Sequence, residues 1–222
     1  MTAATIRRLQ RDIAACRICA DAPLKAPLPH EPRPVCVLSQ TARIAICGQA
    51  PGLRVHQSGR PFTDPSGDRL RDWMGVSPEV FYDASRIAIV PMGFCFPGYD
   101  RHGGDLPPRR ECRLAWHDRI FAAMPQLELK IVIGGAAHAY HLGGRSGGRA
   151  AGKAEGQPAG QAKRSVTQTV RDWRGPFEAP DGACRLLPLP HPSWRNNAWI
   201  RKNPWFEAEL LPVLRGAVRD LI

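Results

Sequence analysis

The chain has 222 residues, and 31 lysines and arginines against 20 acidic residues leave it a formal charge of +11. That length suits one compact domain with a core of its own, and the charge points to an anionic partner, nucleic acid first, because phosphates reward Lys and Arg directly. No apolar run approaches the roughly 20 residues of a membrane span, and no basic segment followed by an apolar one opens the chain, so a cytoplasmic location is expected.

Residues 5–15 carry a helical pattern and run into Cys16-Arg17-Ile18-Cys19, a C-x-x-C that is ambiguous alone. Seven cysteines, an odd number, suit a disulfide framework poorly in a reducing compartment. Cys36, Cys47 and Cys184 lie in or beside apolar stretches and read as small hydrophobes, whereas Cys95 and Cys112 remain to be explained. Four short apolar runs, at 43–47, 86–90, 130–134 and 185–189, read as buried strands. Helical patterns at 66–74, 109–124, from Ala136 and at 204–221 alternate with them, the first with a start signal at Asp64 or Ser66. This order predicts a single-domain α/β protein, a three-layer α/β/α sandwich around a mostly parallel four-stranded sheet. Residues 143–165, with seven glycines, five basic residues and one acid, read as a flexible, solvated insertion.

In such sheets, sites form beyond the carboxyl ends of the strands. Each predicted strand ends in glycine or proline: Gly48-Gln49-Ala50-Pro51-Gly52, Pro91-Met92-Gly93-Phe94-Cys95, Gly134-Gly135, and Pro190-His191-Pro192-Ser193. Four such turns converging on one edge make a pocket.

The first turn, GQAPG, with GRPF at 59–62 and HPS at 191–193, resembles the two signature motifs of the uracil-DNA glycosylase superfamily. The likeness is closest to its iron–sulfur-containing bacterial and archaeal branch, called family four. The resemblance implies a [4Fe–4S] cluster on Cys16, Cys19, Cys95 and Cys112; zinc is the competing occupant of four thiolates. It further implies a DNA partner containing uracil or another deaminated base, a nucleotide flipped out of the stack, and hydrolysis of its N-glycosidic bond. A monofunctional glycosylase follows, since no lysine stands at a strand end to form a Schiff base. The reading from another class is a non-catalytic iron–sulfur protein that recognises damaged DNA.

By the same resemblance His191 donates to the departing base's O2 and Phe62 stacks on the flipped base, while the turn at Gly48, Ala50, Pro51 and Gly52 contacts it. Two positions depart from the family pattern. Gln49 stands where family four has glutamate; it can orient water or substrate but cannot act as a base, so His56 or Asp64 is left to position water, and Asp64 reads first as a helix cap. Pro91 stands where an asparagine reads the base edge, which leaves recognition to backbone around Met92 and Gly93. After the HPS motif, Ser193, Trp194 and Arg195 are expected to enter the groove beside the extruded base. Trp199, Arg201, Lys202 and Trp205 would add stacking faces and phosphate contacts, although Trp205 and Phe206 read first as core anchors.

Overall fold

The computed structural model describes residues 3–143, 164–178, 180 and 184–222. Four strands, β1 (Ile44–Cys47), β2 (Ile87–Ile89), β3 (Leu129–Ile133) and β4 (Arg185–Leu189), form one sheet in the order β2-β1-β3-β4. All three pairings are parallel, with Ile46 opposite Ile89 on one side and Ile131 on the other. The strands are apolar on both faces because helices cover both, which gives the expected three-layer α/β/α sandwich.

The two faces divide by residue size. One presents Ile44, Ile46, Ile87, Ile89, Ile131 and Ile133 to the helix Pro65–Met74 and the C-terminal helical segment Phe206–Leu210 and Leu211–Arg219. The other presents Ala45, Cys47 and Ala88, whose small side chains let two helices approach closely. These are Ala3–Ala14, through Ile6, Leu9 and Ile13, and the helix running from Arg110 to Ala123, through Trp116 and Ile120. That second helix widens into a π turn over Arg113–His117, where His117 enters the core. No described helix is long and apolar enough to cross a membrane.

Helices absent from the expected set include Leu53–Ser58, Val166–Arg171 and Asn197–Lys202, beside the shorter Ile18–Asp21, Pro78–Phe81 and Arg174–Glu178. Of the glycine-rich stretch at 143–165, residues 144–163 lie outside the described residues. Its last residue, Ser165, is not loop but a helix cap: its side chain and that of Gln168 form a capping box. The chain leaves β1 toward β2 on one side and later crosses to β3 on the other, so the sheet's switch point, where a crevice opens beyond the strand ends, lies between β1 and β3.

Candidate active site

A cavity of about 190 Å³ opens at that switch point. Gln49 beyond β1, Gly134 beyond β3 and His191 beyond β4 line it together with Asn196 and Trp199. A Cβ on Gly134 would stand 3.1 Å from the Gln49 carboxamide, and its φ of 80° also favours glycine, so the position admits Gln49 by lacking a side chain. Among the described residues the Gln49 carboxamide has no hydrogen-bond partner of its own. It faces the cavity with one donor group and one acceptor uncommitted.

Phe62 is the only described non-glycine residue with positive φ, at 54°. Its carbonyl accepts from Tyr82 Oη (2.9 Å) and Arg71 Nη1 (3.4 Å), and its ring tip reaches Gly48, where a Cβ would be 3.6 Å away. A Cβ on Gly67 would overlap the Phe62 carbonyl oxygen at 2.0 Å. The strained conformation is therefore imposed by packing, and it holds the ring against the first turn. Gly67→Ala is expected to destabilise the fold by about 3 kcal/mol, the upper end of ordinary overpacking. Urea unfolding checks this, and a variant as stable as the parent would refute it.

The loop beyond β2 has already spent its donors. The amides of Met92 and Gly93 donate to the carbonyls of Gly48 and Gln49 at 3.0 and 2.8 Å, and the Phe94 amide points to Cys112 Sγ at 3.4 Å. The Met92 side chain packs inward against Val132 and Leu186. These bonds stitch the second turn to the first. They leave base-edge donation to groups other than these amides, whereas the amides of Ala50 and Gly52 donate to no acceptor among the described residues.

His191 is fixed from three sides: prolines flank it, its carbonyl accepts from Asn196 Nδ2 at 2.7 Å, and Arg69 Nη1 reaches the carbonyl of Ser193 at 3.0 Å. Burial pushes the imidazole below its ordinary value, with Arg195 adding to this, while Asp64 and Asp105 pull the other way. The ring is therefore uncharged at neutral pH and can donate a single N–H. Asp64 is the N-cap of Pro65–Met74, its Oδ1 accepting from the amides of Ser66 and Gly67, yet it stays within electrostatic reach of His191.

His56 stands apart from this group. Its ring lies 4.3 Å from that of His30 and 6.2 Å from that of Phe96, and burial, followed by His30 and Arg33, lowers its pKa. Beyond His191, Trp194 is 71% exposed with Arg195 beside it, and Arg201 and Lys202 are exposed at the end of Asn197–Lys202. Trp199 is half-buried and lines the cavity. Its Nε1 donates to Thr167 Oγ1 at 2.7 Å and its ring meets Phe206 edge-on. Trp205 and Phe206 pack on the core, as anchors.

Cys19, Cys95 and Cys112 are buried, and Cys16 is partly so. Among the described residues no group of three His, Cys, Asp or Glu side chains is placed to hold a single metal ion. The four thiols nonetheless share one region. Cys112 hydrogen-bonds Cys19 and holds its pKa below the ordinary value, with Arg109 contributing. Burial, and then Cys19 and Cys16, raise Cys95 to about 12. Arg109 donates to the Ala26 carbonyl and to Glu111, while its Nε is buried without a partner. A sulfur-only donor set with an unpaired cationic N–H beside it fits a thiolate-bound, anionic cluster.

One residue of this neighbourhood carried no motif. Asp105 reaches back to the first turn, its Oδ2 3.8 Å from where a Gly52 Cβ would be. The two glycines of "HGGD" were the available signal, since they mark a tight hairpin.

A doubly wound parallel sheet whose switch-point cavity is lined by Gln49, Gly134 and His191, with the Phe62 ring against the first turn, places a ligand site where sheets of this class bind theirs. The family model described as the uracil DNA glycosylase superfamily matches residues 37–215, and the chain belongs to that superfamily. Its members are DNA glycosylases, hydrolases that act on DNA carrying uracil or deaminated bases.

Proposed function

We propose that this protein is a monofunctional DNA glycosylase that flips a uracil or related deaminated nucleotide into the switch-point cavity and hydrolyses its N-glycosidic bond. The observation that carries the reading is that Gln49 and His191, from opposite sides of the switch point, line one cavity. His191 stabilises the negative charge that the base acquires as it leaves. The uncommitted amide of Gln49, which can donate and accept at once, reads the edge that an asparagine reads elsewhere in the family. Phe62 stacks on the base, and Trp194 with Arg195 fills the gap left in the duplex, while Arg201 and Lys202 neutralise phosphates.

In this reading Cys16, Cys19, Cys95 and Cys112 hold a [4Fe–4S] cluster. It pins the N-terminal C-x-x-C segment to the loop beyond β2, which is itself bonded to the Gly48-Gln49 turn. The test is an excision panel of uracil, hypoxanthine and xanthine oligonucleotides, single- and double-stranded, with iron, sulfide and zinc measured on the same preparation. Excision from at least one substrate is expected, along with iron and sulfide that a Cys112→Ala variant loses. No excision at enzyme excess would leave a DNA-binding protein without catalysis, and stoichiometric zinc would replace the cluster.

A further inference from the structure

Hydrolysis needs a group to receive the proton of the attacking water, and the first turn, with glutamine at position 49, offers none. Asp64 meets that need only in part, because its Oδ1 is committed to the amides of Ser66 and Gly67. Asp105 is differently placed. It arrives on a hairpin over residues 98–106, closed by the Leu106 amide on the Gly98 carbonyl at 2.9 Å, the Asp100 amide on the Gly104 carbonyl at 2.7 Å, and a bridge between Tyr99 and Asp105. The tip is locked as well: Asp100 Oδ1 accepts from the amides of His102 and Gly104, and Gly98 and Gly103 take positive φ. At its base Tyr99 packs edge-on against Phe96 at 5.0 Å, so the hairpin is held to the body of the domain.

This rigid arm brings the carboxylate to the end of the first turn, with Oδ2 3.8 Å from the Cβ position of Gly52. Among the described residues Asp105 has neither a hydrogen-bond donor nor an ion-pair partner at bonding distance. Its electrostatic neighbours are Arg195, His191 and Asp64, and of these His191 lines the cavity. An unpartnered carboxylate held on a built arm toward the proposed base-stabilising histidine has no structural task that the fold reveals.

We infer that Asp105, carried over the first turn by the 98–106 hairpin, is the catalytic carboxylate that orients and deprotonates the attacking water. The inference rests on the glycosylase reading above. In the step, the bond from C1′ to the base nitrogen breaks and its electron pair leaves with the base, steadied by the His191 N–H. The water oxygen bonds to C1′, and its proton passes to Asp105 and from there to solvent or to the departed base. One water is consumed, a free base and an abasic site are formed, and nothing is oxidised or reduced. Before attack, the same carboxylate balances the positive charge that grows on the sugar. Burial raises the Asp105 pKa from its ordinary value, and Asp64 adds to this, against Arg195 and His191. That direction brings a carboxylate nearer to the proton affinity a general base requires.

The experiment measures single-turnover excision as a function of pH, together with binding to duplex containing an abasic-site analogue. It uses the parent protein and its Asp105→Asn, Asp105→Glu and Asp64→Asn variants. Asp105→Asn is expected to slow excision by about 10² or more, within the range a positioned base supplies. It should leave abasic-site binding unchanged and remove the part of the acid limb that exceeds the loss of folded protein, measured by urea unfolding at the same pH. Asp105→Glu should recover part of the rate and restore that limb, and Asp64→Asn, which keeps a capping acceptor, should lose less than Asp105→Asn. Parental rate and pH profile in Asp105→Asn would overturn the inference and leave the glycosylase reading intact, as would a loss confined to Asp64→Asn. A parent protein that binds the abasic duplex but excises no base overturns both.

Discussion

Replacing His191 by alanine is expected to lower the single-turnover excision rate by about 10²–10³-fold, the loss seen when one preorganised donor to a developing anion is removed. The size of the effect follows from how little freedom the residue has. Pro190 and Pro192 restrict the backbone on both sides, and Asn196 and Arg69 hold the carbonyls of His191 and Ser193. The ring is thus aimed before substrate arrives, and no reorganisation is needed when charge develops. Because burial keeps the imidazole neutral, it offers a hydrogen bond without adding a cation that would attract phosphate in the ground state. The loss should therefore fall on the chemical step, with affinity for an uncleavable uracil duplex little changed. A variant that excises at the parental rate would remove His191 from this role. One that loses binding in proportion to rate would make it a ground-state contact.

What the sequence made legible were features written in short-range pattern. The short apolar runs mark strands covered on both faces. The glycine and proline turns at the strand ends mark the pocket edge, and Asp64-Pro65-Ser66 marks a helix start. Features that depend on what a group has already bonded were not legible. Nothing in "PMGF" says that the amides of Met92, Gly93 and Phe94 are committed to Gly48, Gln49 and Cys112 and so are closed to a ligand. The tryptophan spacing at 194, 199 and 205 looks alike at each position, but Trp194 is exposed whereas Trp199 and Trp205 are half-buried. Thr167, from a segment far away in sequence, claims the indole N–H of Trp199. Asp105 was hidden for the same reason, since its neighbours Gly52, His191 and Arg195 come from two other loops. Short helices such as Leu53–Ser58 escape periodicity because six residues make fewer than two turns.

The folded protein is expected to lose stability steeply as pH falls from 6.5 toward 4, well before its paired carboxylates titrate. Three histidines behind the site account for this. His117 Nε2 lies 3.1 Å from the Pro91 carbonyl and must donate to it, which leaves Nδ1 bare, buried and unpartnered. His138 repeats the arrangement, with Nε2 3.0 Å from the Val132 carbonyl and Nδ1 orphaned, and His141 buries an unpartnered Nε2 nearby. Protonating any of them would place an N–H⁺ where no acceptor waits. Around them Arg113 and Lys130 repel a further positive charge, while Asp118, bonded to Tyr140, offers only partial relief. Burial therefore lowers His117 from 6.5 to about 4, lowers His138, and drives His141 well below its ordinary value. The unfolded chain takes up these protons near pH 6.5 and the folded one does not. The contribution is thus complete above 6.5 and declines through the interval down to the folded values. For His117 alone the interval corresponds to ~3 kcal/mol. Urea unfolding at steps between pH 8 and 4 measures it, and a His117→Gln variant should show a shallower slope over the same range. Stability that stays level down to pH 4.5 in the parent would show that these rings are not held neutral. Because His117 grips the carbonyl of Pro91, at the root of the loop bonded to Gly48 and Gln49, excision should fail in step with that loss of stability rather than after it.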